Sequence, residues 1–142
     1  MSKRFRASVI LSLALGFTTL CAVDAAEKPA YKSPVVTKKT KGRSVDIDID
    51  ITGKKHLVLV VGDGGNGYGC DWAAWVKPRL VGPGGEKSLT SLKWKSASAG
   101  FGSVNVDRNC SGGPVLLEGK RISDSIGTHA TSTIVYELPG LS

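Results

Sequence analysis

The chain has 142 residues, room for one domain, and carries a net charge of +7 at neutral pH. That charge does not mark a nucleic-acid binder. Lys28, Lys32, Lys38, Lys39, Lys41 and Arg43 stand against Glu27 alone, whereas residues 44–142 hold ten basic and ten acidic side chains. The basicity belongs to a lead-in, and the body lacks the electrostatic footprint that phosphate binding needs.

The first residues read as an address. Lys3, Arg4 and Arg6 form a basic head, Val9 to Leu15 an apolar run, and Ala22, Ala25 and Ala26 a stretch of small side chains. This predicts a signal peptide over residues 1–25, cleaved after Ala25 and too short to span a membrane. The mature chain is then secreted or periplasmic. Cys21 leaves with the leader, and Leu20 before it is large for a lipoprotein anchor. Cys70 and Cys110 remain as an even pair. A disulfide between them would close a loop of about 40 residues and stabilise by about 4 kcal/mol. The alternative is two buried thiols. No C-x-x-C or nearby His completes a metal site, and no cofactor is expected.

Residues 26–44, with Pro29, Pro34 and the basic side chains, read as a disordered linker. Order is expected from residue 45 to 142. VDIDIDI alternates Val45, Ile47, Ile49 and Ile51 with Asp46, Asp48 and Asp50, the pattern of a half-buried strand with a solvated acidic face. The D-x-D-x-D spacing is not a calcium loop, because Ile51 stands where a glycine is required. Gly53-Lys54-Lys55 reads as the turn of a hairpin into His56–Val61, apolar on both faces and therefore central.

A glycine-rich loop follows, GDGGNGYGCD, then a strand from Trp72 to Leu80 in which Pro78 demands an edge or a bend. VLLEGKRI reads as a hairpin with Glu118-Gly119-Lys120 at its tip, Gly127-Thr128-His129-Ala130 as a loop, and Thr133–Leu138 as a strand. Short strands at turn spacing, 18 glycines and no helical periodicity predict an all-β sandwich or barrel.

Gly62, Gly64 and Gly67 spell G-x-G-x-x-G after a strand. A dinucleotide site needs a helix next, and Gly69 and Pro78 leave no room for one. No G-K-[ST] closes a phosphate loop either. The loop instead lets a ligand approach the backbone closely. Asp63, Asn66, Asp71 and the Trp72/Trp75 pair could then converge as carboxylate, amide and flat ring, a set that suits a sugar. The tryptophans read rather more as core than as ligand contacts, and Asp71 equally as a turn cap. Catalysis finds little support. His56 and His129 are the two histidines, no serine sits in G-x-S-x-G, and nothing sets Asp63 and Asp71 at a glycosidase spacing.

Two blocks carry a family resemblance. VDIDITGKKHLVLVVGDGGNGYGCDWAAWVKPRLVG is similar to the latter part of NPCBM, a carbohydrate-binding module also associated with glycoside hydrolase family 98. Asp63, Asp71, Trp75, Pro78 and Leu80 sit on its pattern. VLLEGKRISDSIGTHATSTIVYELPG resembles the early part, through Gly119, Lys120, Gly127-Thr128-His129-Ala130, Ser132 and Tyr136. The block order is reversed and the family's middle is absent. The resemblance implies a galactose-binding-like, jelly-roll type β-sandwich, incomplete or permuted. It implies an exported non-catalytic module binding a glycan or polysaccharide, standing at the start of a larger secreted protein. The candidate binding residues are Asp63, Asn66, Asp71, Trp72, Trp75 and His129. The competing expectation is a structural or protein-docking sandwich that binds no glycan.

Overall fold

The computed structural model describes residues 2–11, 29–37, 39–63 and 72–138. Eleven strands run through them in chain order: β1 (Arg4–Leu11), β2 (Ser44–Asp50), β3 (His56–Val61), β4 (Trp72–Gly82), β5 (Gly85–Ser88), β6 (Ser96–Ser98), β7 (Asn105–Val106), β8 (Leu116–Leu117), β9 (Lys120–Arg121), β10 (Ser125–His129) and β11 (Ser132–Glu137). They form one six-stranded sheet in the order β2-β1-β4-β10-β7, with β5 beside β4, a three-stranded sheet in the order β3-β11-β6, and a two-stranded pair β8-β9. All ladders are antiparallel. Phe5, Val9, Trp75, Leu80 and Ile126 of the first sheet share one buried cluster with Leu57, Leu59, Val61, Ile134 and Tyr136 of the second. The architecture is an all-β sandwich, as the alternation predicts.

Strand β2 follows its period of two. Ile47 and Ile51 are buried, while Val45 and Ile49 pack half-buried on the core. Its acidic face is occupied: Asp48 accepts from Arg4 Nε at 2.6 Å and Arg6 Nε at 3.2 Å, and Asp46 from Ser8 Oγ at 2.5 Å. The Arg4 hydrogen bond foremost holds the Asp48 carboxyl below its usual range.

The N-terminus enters the fold in a way the sequence did not suggest. Arg4–Leu11, read as leader, lies between β2 and β4 and pairs with both. Its own alternation explains the fit, since Phe5, Ala7 and Val9 point into the core. Part of the stretch read as linker also packs down, with Val36 wholly buried and Tyr31 against the core.

Three local readings are corrected. First, β2 and β3 are not a hairpin. Ile51 completes the core-facing row, and the Gly53 turn at φ 76° carries the chain across to the other sheet. Second, among the described residues β3 lies at an edge, because β11 pairs with β3 on one side and β6 on the other. Leu57, Leu59 and Val61 face the core across the sandwich, while Val58 and Val60 lie on the opposite face, outside that cluster. Third, the expected loop at Gly127 is strand β10, buried throughout. A Cβ at Gly127 would lie 2.0 Å from the Arg108 carbonyl oxygen, so glycine here admits a neighbouring backbone. Thr128 joins the interior by donating to Ser132 Oγ at 2.6 Å.

Pro78 does sit at a bend, but within a central strand. The register of β1 on β4 slips between Arg6 and Ser8, opposite Lys77 and Pro78, with Lys77 at φ 47°. A bulge tolerates a residue without a donor. On its other side, β4 pairs with β10 before the bulge and with β5 after it. Asp124, at φ 55°, ties this junction together. It accepts from Arg79 Nη2, from Ser88 Oγ at 2.9 Å and from Thr90 Oγ1 at 3.0 Å. These donors, Arg79 first, bring its carboxyl from 3.8 down to about 2.

Candidate functional site

Successive side chains of a strand point to opposite faces, so residues three apart part company. In β4 this separates the two tryptophans. Trp75 faces inward and is fully buried in the main core. Trp72 belongs to the outer row with Ala74 and Val76 and is half-buried.

That outer face is roofed at one end. The chain after β7 doubles back, and Ile10, Ala74 and Val115 form a second buried cluster with Val76, Leu117 and Ile122 against it. Residues 114–122 make the roof, with the β8–β9 hairpin at its tip. Leu116 pairs with Arg121 and Leu117 with Lys120. The expected turn is there, with Glu118 at φ 51° and Gly119 at φ 79°, two left-handed residues as in a type I′ turn.

Between the hairpin and the end of the sheet opens a cleft of about 320 Å³. Trp72 lies in it with Arg43, Asn109, Pro114, Leu116, Glu118 and Gly119. Arg43 arrives from the 3-10 turn Lys41–Arg43, which closes at φ 49° and directs the chain into β2. Asn109 is a brace for the far wall. Its Nδ2 donates to the Pro114 carbonyl at 3.0 Å, and its Oδ1 accepts from Ser111 N at 2.9 Å and Gly113 N at 3.0 Å. Glu118 is exposed at the hairpin tip and Arg43 is half-exposed. Neither is engaged by another described side chain.

The cleft therefore offers a half-buried indole, a pyrrolidine and a leucine as apolar walls. A guanidinium donates and a carboxylate accepts. Its volume falls at the small end of ligand pockets, room for one or two sugar rings. Among the described residues one carboxylate, Glu118, lines it.

The described residues do not bring the other sequence candidates into the cleft. Asp63 follows β3, in the opposite sheet. Asn66, Asp71 and Cys70 lie outside the described residues. His129 is the register partner of Trp72, yet it is 4% exposed. Its Nδ1 lies 2.6 Å from the Ala130 carbonyl oxygen and its ring meets Phe101 edge-on at 5.7 Å. Cys110 is buried and free of a disulfide among the described residues, and burial pushes its thiol up. No group of three metal-ligating side chains occurs among the described residues, and no described helix is long and apolar enough to cross a membrane.

Sequence reasoning missed Arg43, Pro114, Leu116 and Glu118. The Glu118-Gly119 turn was visible, but nothing in the sequence places that turn over Trp72. The NPCBM/NEW2 domain model matches residues 15–81 and 85–141. No curated protein and no solved structure matches the chain. The two matched segments take in most of the chain, every described strand but β1, and the cleft between hairpin and Trp72: the chain belongs to the NPCBM/NEW2 domain family.

Proposed function

We propose that the chain is an exported, non-catalytic module that binds a glycan in the Trp72 cleft. Family membership supports a carbohydrate ligand in general terms. The observation that carries the choice of site is the half-buried indole facing a cleft whose rim holds Arg43 and Glu118. A sugar stacks its apolar C–H face on such a ring while its hydroxyls meet the charged rim. Trp75, the other tryptophan among the sequence candidates, is buried in the core.

The test is affinity electrophoresis against immobilised polysaccharides with wild type, Trp72→Ala and Glu118→Gln. Retardation that disappears in Trp72→Ala, with an unchanged circular dichroism spectrum, supports the site. Full retention in Trp72→Ala would move the ligand elsewhere on the sandwich. Export is part of the same reading. It rests on the basic head, apolar run and small residues of the first 25 positions, and on them alone. It implies that Cys70 and Cys110 meet in an oxidising compartment. Non-reducing peptide mapping of the secreted product tests the pairing, and two free thiols there would refute it.

A further inference from the structure

We propose that the lane between β2 and β4, held here by β1, accepts an extended peptide strand in trans once the N-terminal segment has been removed. The partner is a strand that alternates apolar and basic residues. The inference rests on the proposal that residues 1–25 are cleaved on export.

The geometry defines the lane closely. β1 makes seven register pairs with β2 and seven with β4. β2 and β4 never pair with each other among the described residues. The gap is one strand wide, about 10 Å between its two walls. Removing β1 leaves both walls with facing rows of unmatched N–H and C=O groups, and buried groups of that kind are costly. Among the described residues β4 pairs with β1 alone on that side, its other edge being shared between β10 and β5. The loss also opens the core, where Phe5 and Val9 are 0% exposed. Two ladder edges beside an apolar trough are the elements of recognition by strand addition. Main-chain bonds supply affinity, and alternate side-chain pockets supply choice.

The choice is legible in the walls. Inward positions take a large, a small and a medium apolar side chain, as Phe5, Ala7 and Val9 do. Outward positions face the acidic row of β2. There Arg4 and Arg6 both reach Asp48, and Ser8 reaches Asp46. An acidic strand would set like charges opposite one another, which is unfavourable across a ladder. The aspartate row, left without a role by the glycan cleft, thereby acquires one.

The experiment starts from the full chain, with a specific protease site placed within residues 12–28. After cleavage the protein is unfolded in urea and refolded with an excess of labelled peptide RFRASVIL, the sequence of residues 4–11. The label is expected to co-purify with the module. The peptide bearing Arg4→Glu and Arg6→Glu should compete about tenfold less well, the size expected for two such reversals. The Phe5→Asp peptide should not enter. Uncut protein, whose lane is filled from its own chain, should take up far less label. No incorporation overturns the proposal, whether the module refolds with its lane closed or fails to refold. Equal competition by the Glu peptide overturns the stated chemistry. Glycan retention by the uncut chain is read on the same preparation and tests the Trp72 cleft alone. The mass of the secreted chain tests cleavage alone. Each failure is thus separately visible.

Discussion

Replacing Asp124 by Asn removes one charge while keeping a residue that accepts the left-handed backbone at φ 55°. The carboxyl that falls from 3.8 to about 2 on folding corresponds to a gross contribution of about 2.5 kcal/mol. Its side chain is 28% exposed, and solvent screening reduces the expected figure to about 1–2 kcal/mol. The sign follows from the direction of the shift. The unfolded chain takes up the proton at higher pH than the folded one, so the contribution is complete above about pH 5 and fades as pH falls towards about 2. Urea unfolding of wild type and Asp124→Asn at neutral pH should give that difference. Repeated near pH 2, the two curves should converge. A gap of equal size at both pH values would refute the electrostatic account and leave geometry as its cause.

Three further substitutions probe the frame. Gly127→Ala drives a methyl to within 2.0 Å of the Arg108 carbonyl oxygen and should cost about 3 kcal/mol in urea midpoint terms; a neutral result would show that loop 108–109 yields freely. Gly119→Ala keeps the hairpin sequence but places a side chain at φ 79°, for about 1 kcal/mol by thermal unfolding, with weakened glycan retention because the cleft wall shifts. Phe5→Ala in the uncleaved chain should cost about 3–5 kcal/mol, measured by chemical denaturation; no loss would mean that β1 contributes nothing to the folded full-length protein.

The sequence carries strands better than partners. β2 and β11 announce themselves by alternation, and the β8–β9 turn by Glu-Gly. Pairing is decided by what the other sheet needs, which is why His56–Val61 left β2 for β11. β10 hid behind Gly127, Thr128 and His129, whose composition reads as loop. Its burial is sustained by the Thr128–Ser132 hydrogen bond and a backbone crowding at Gly127 that no single-strand pattern displays. The tryptophans are the instructive case. Spacing of three in a strand already implies opposite faces, so one of them had to leave the site. Which face was roofed depended on a hairpin more than forty residues downstream of Trp72. β1 was unreadable for a different reason. A basic head and an apolar run satisfy both an export address and an alternating strand.

The order in which the strands pair has a consequence for how the chain reaches this state. Among the described residues only β4–β5 and β8–β9 join strands close in sequence; β1 and β2, though consecutive, pair across a long connection, Phe5 pairs with Leu80, and Leu57 with Tyr136. Loop-closure entropy must be overcome before such distant contacts reward it, so folding should fall in the millisecond-to-second range. Because β11 is the middle of its sheet and follows β3 and β6 in the chain, both wait without this partner until residues 132–137 have been synthesised. A ribosome that pauses before Ser132 would therefore hold two edges open, that of β3 strongly apolar, and the three-stranded sheet is where aggregation during expression should begin.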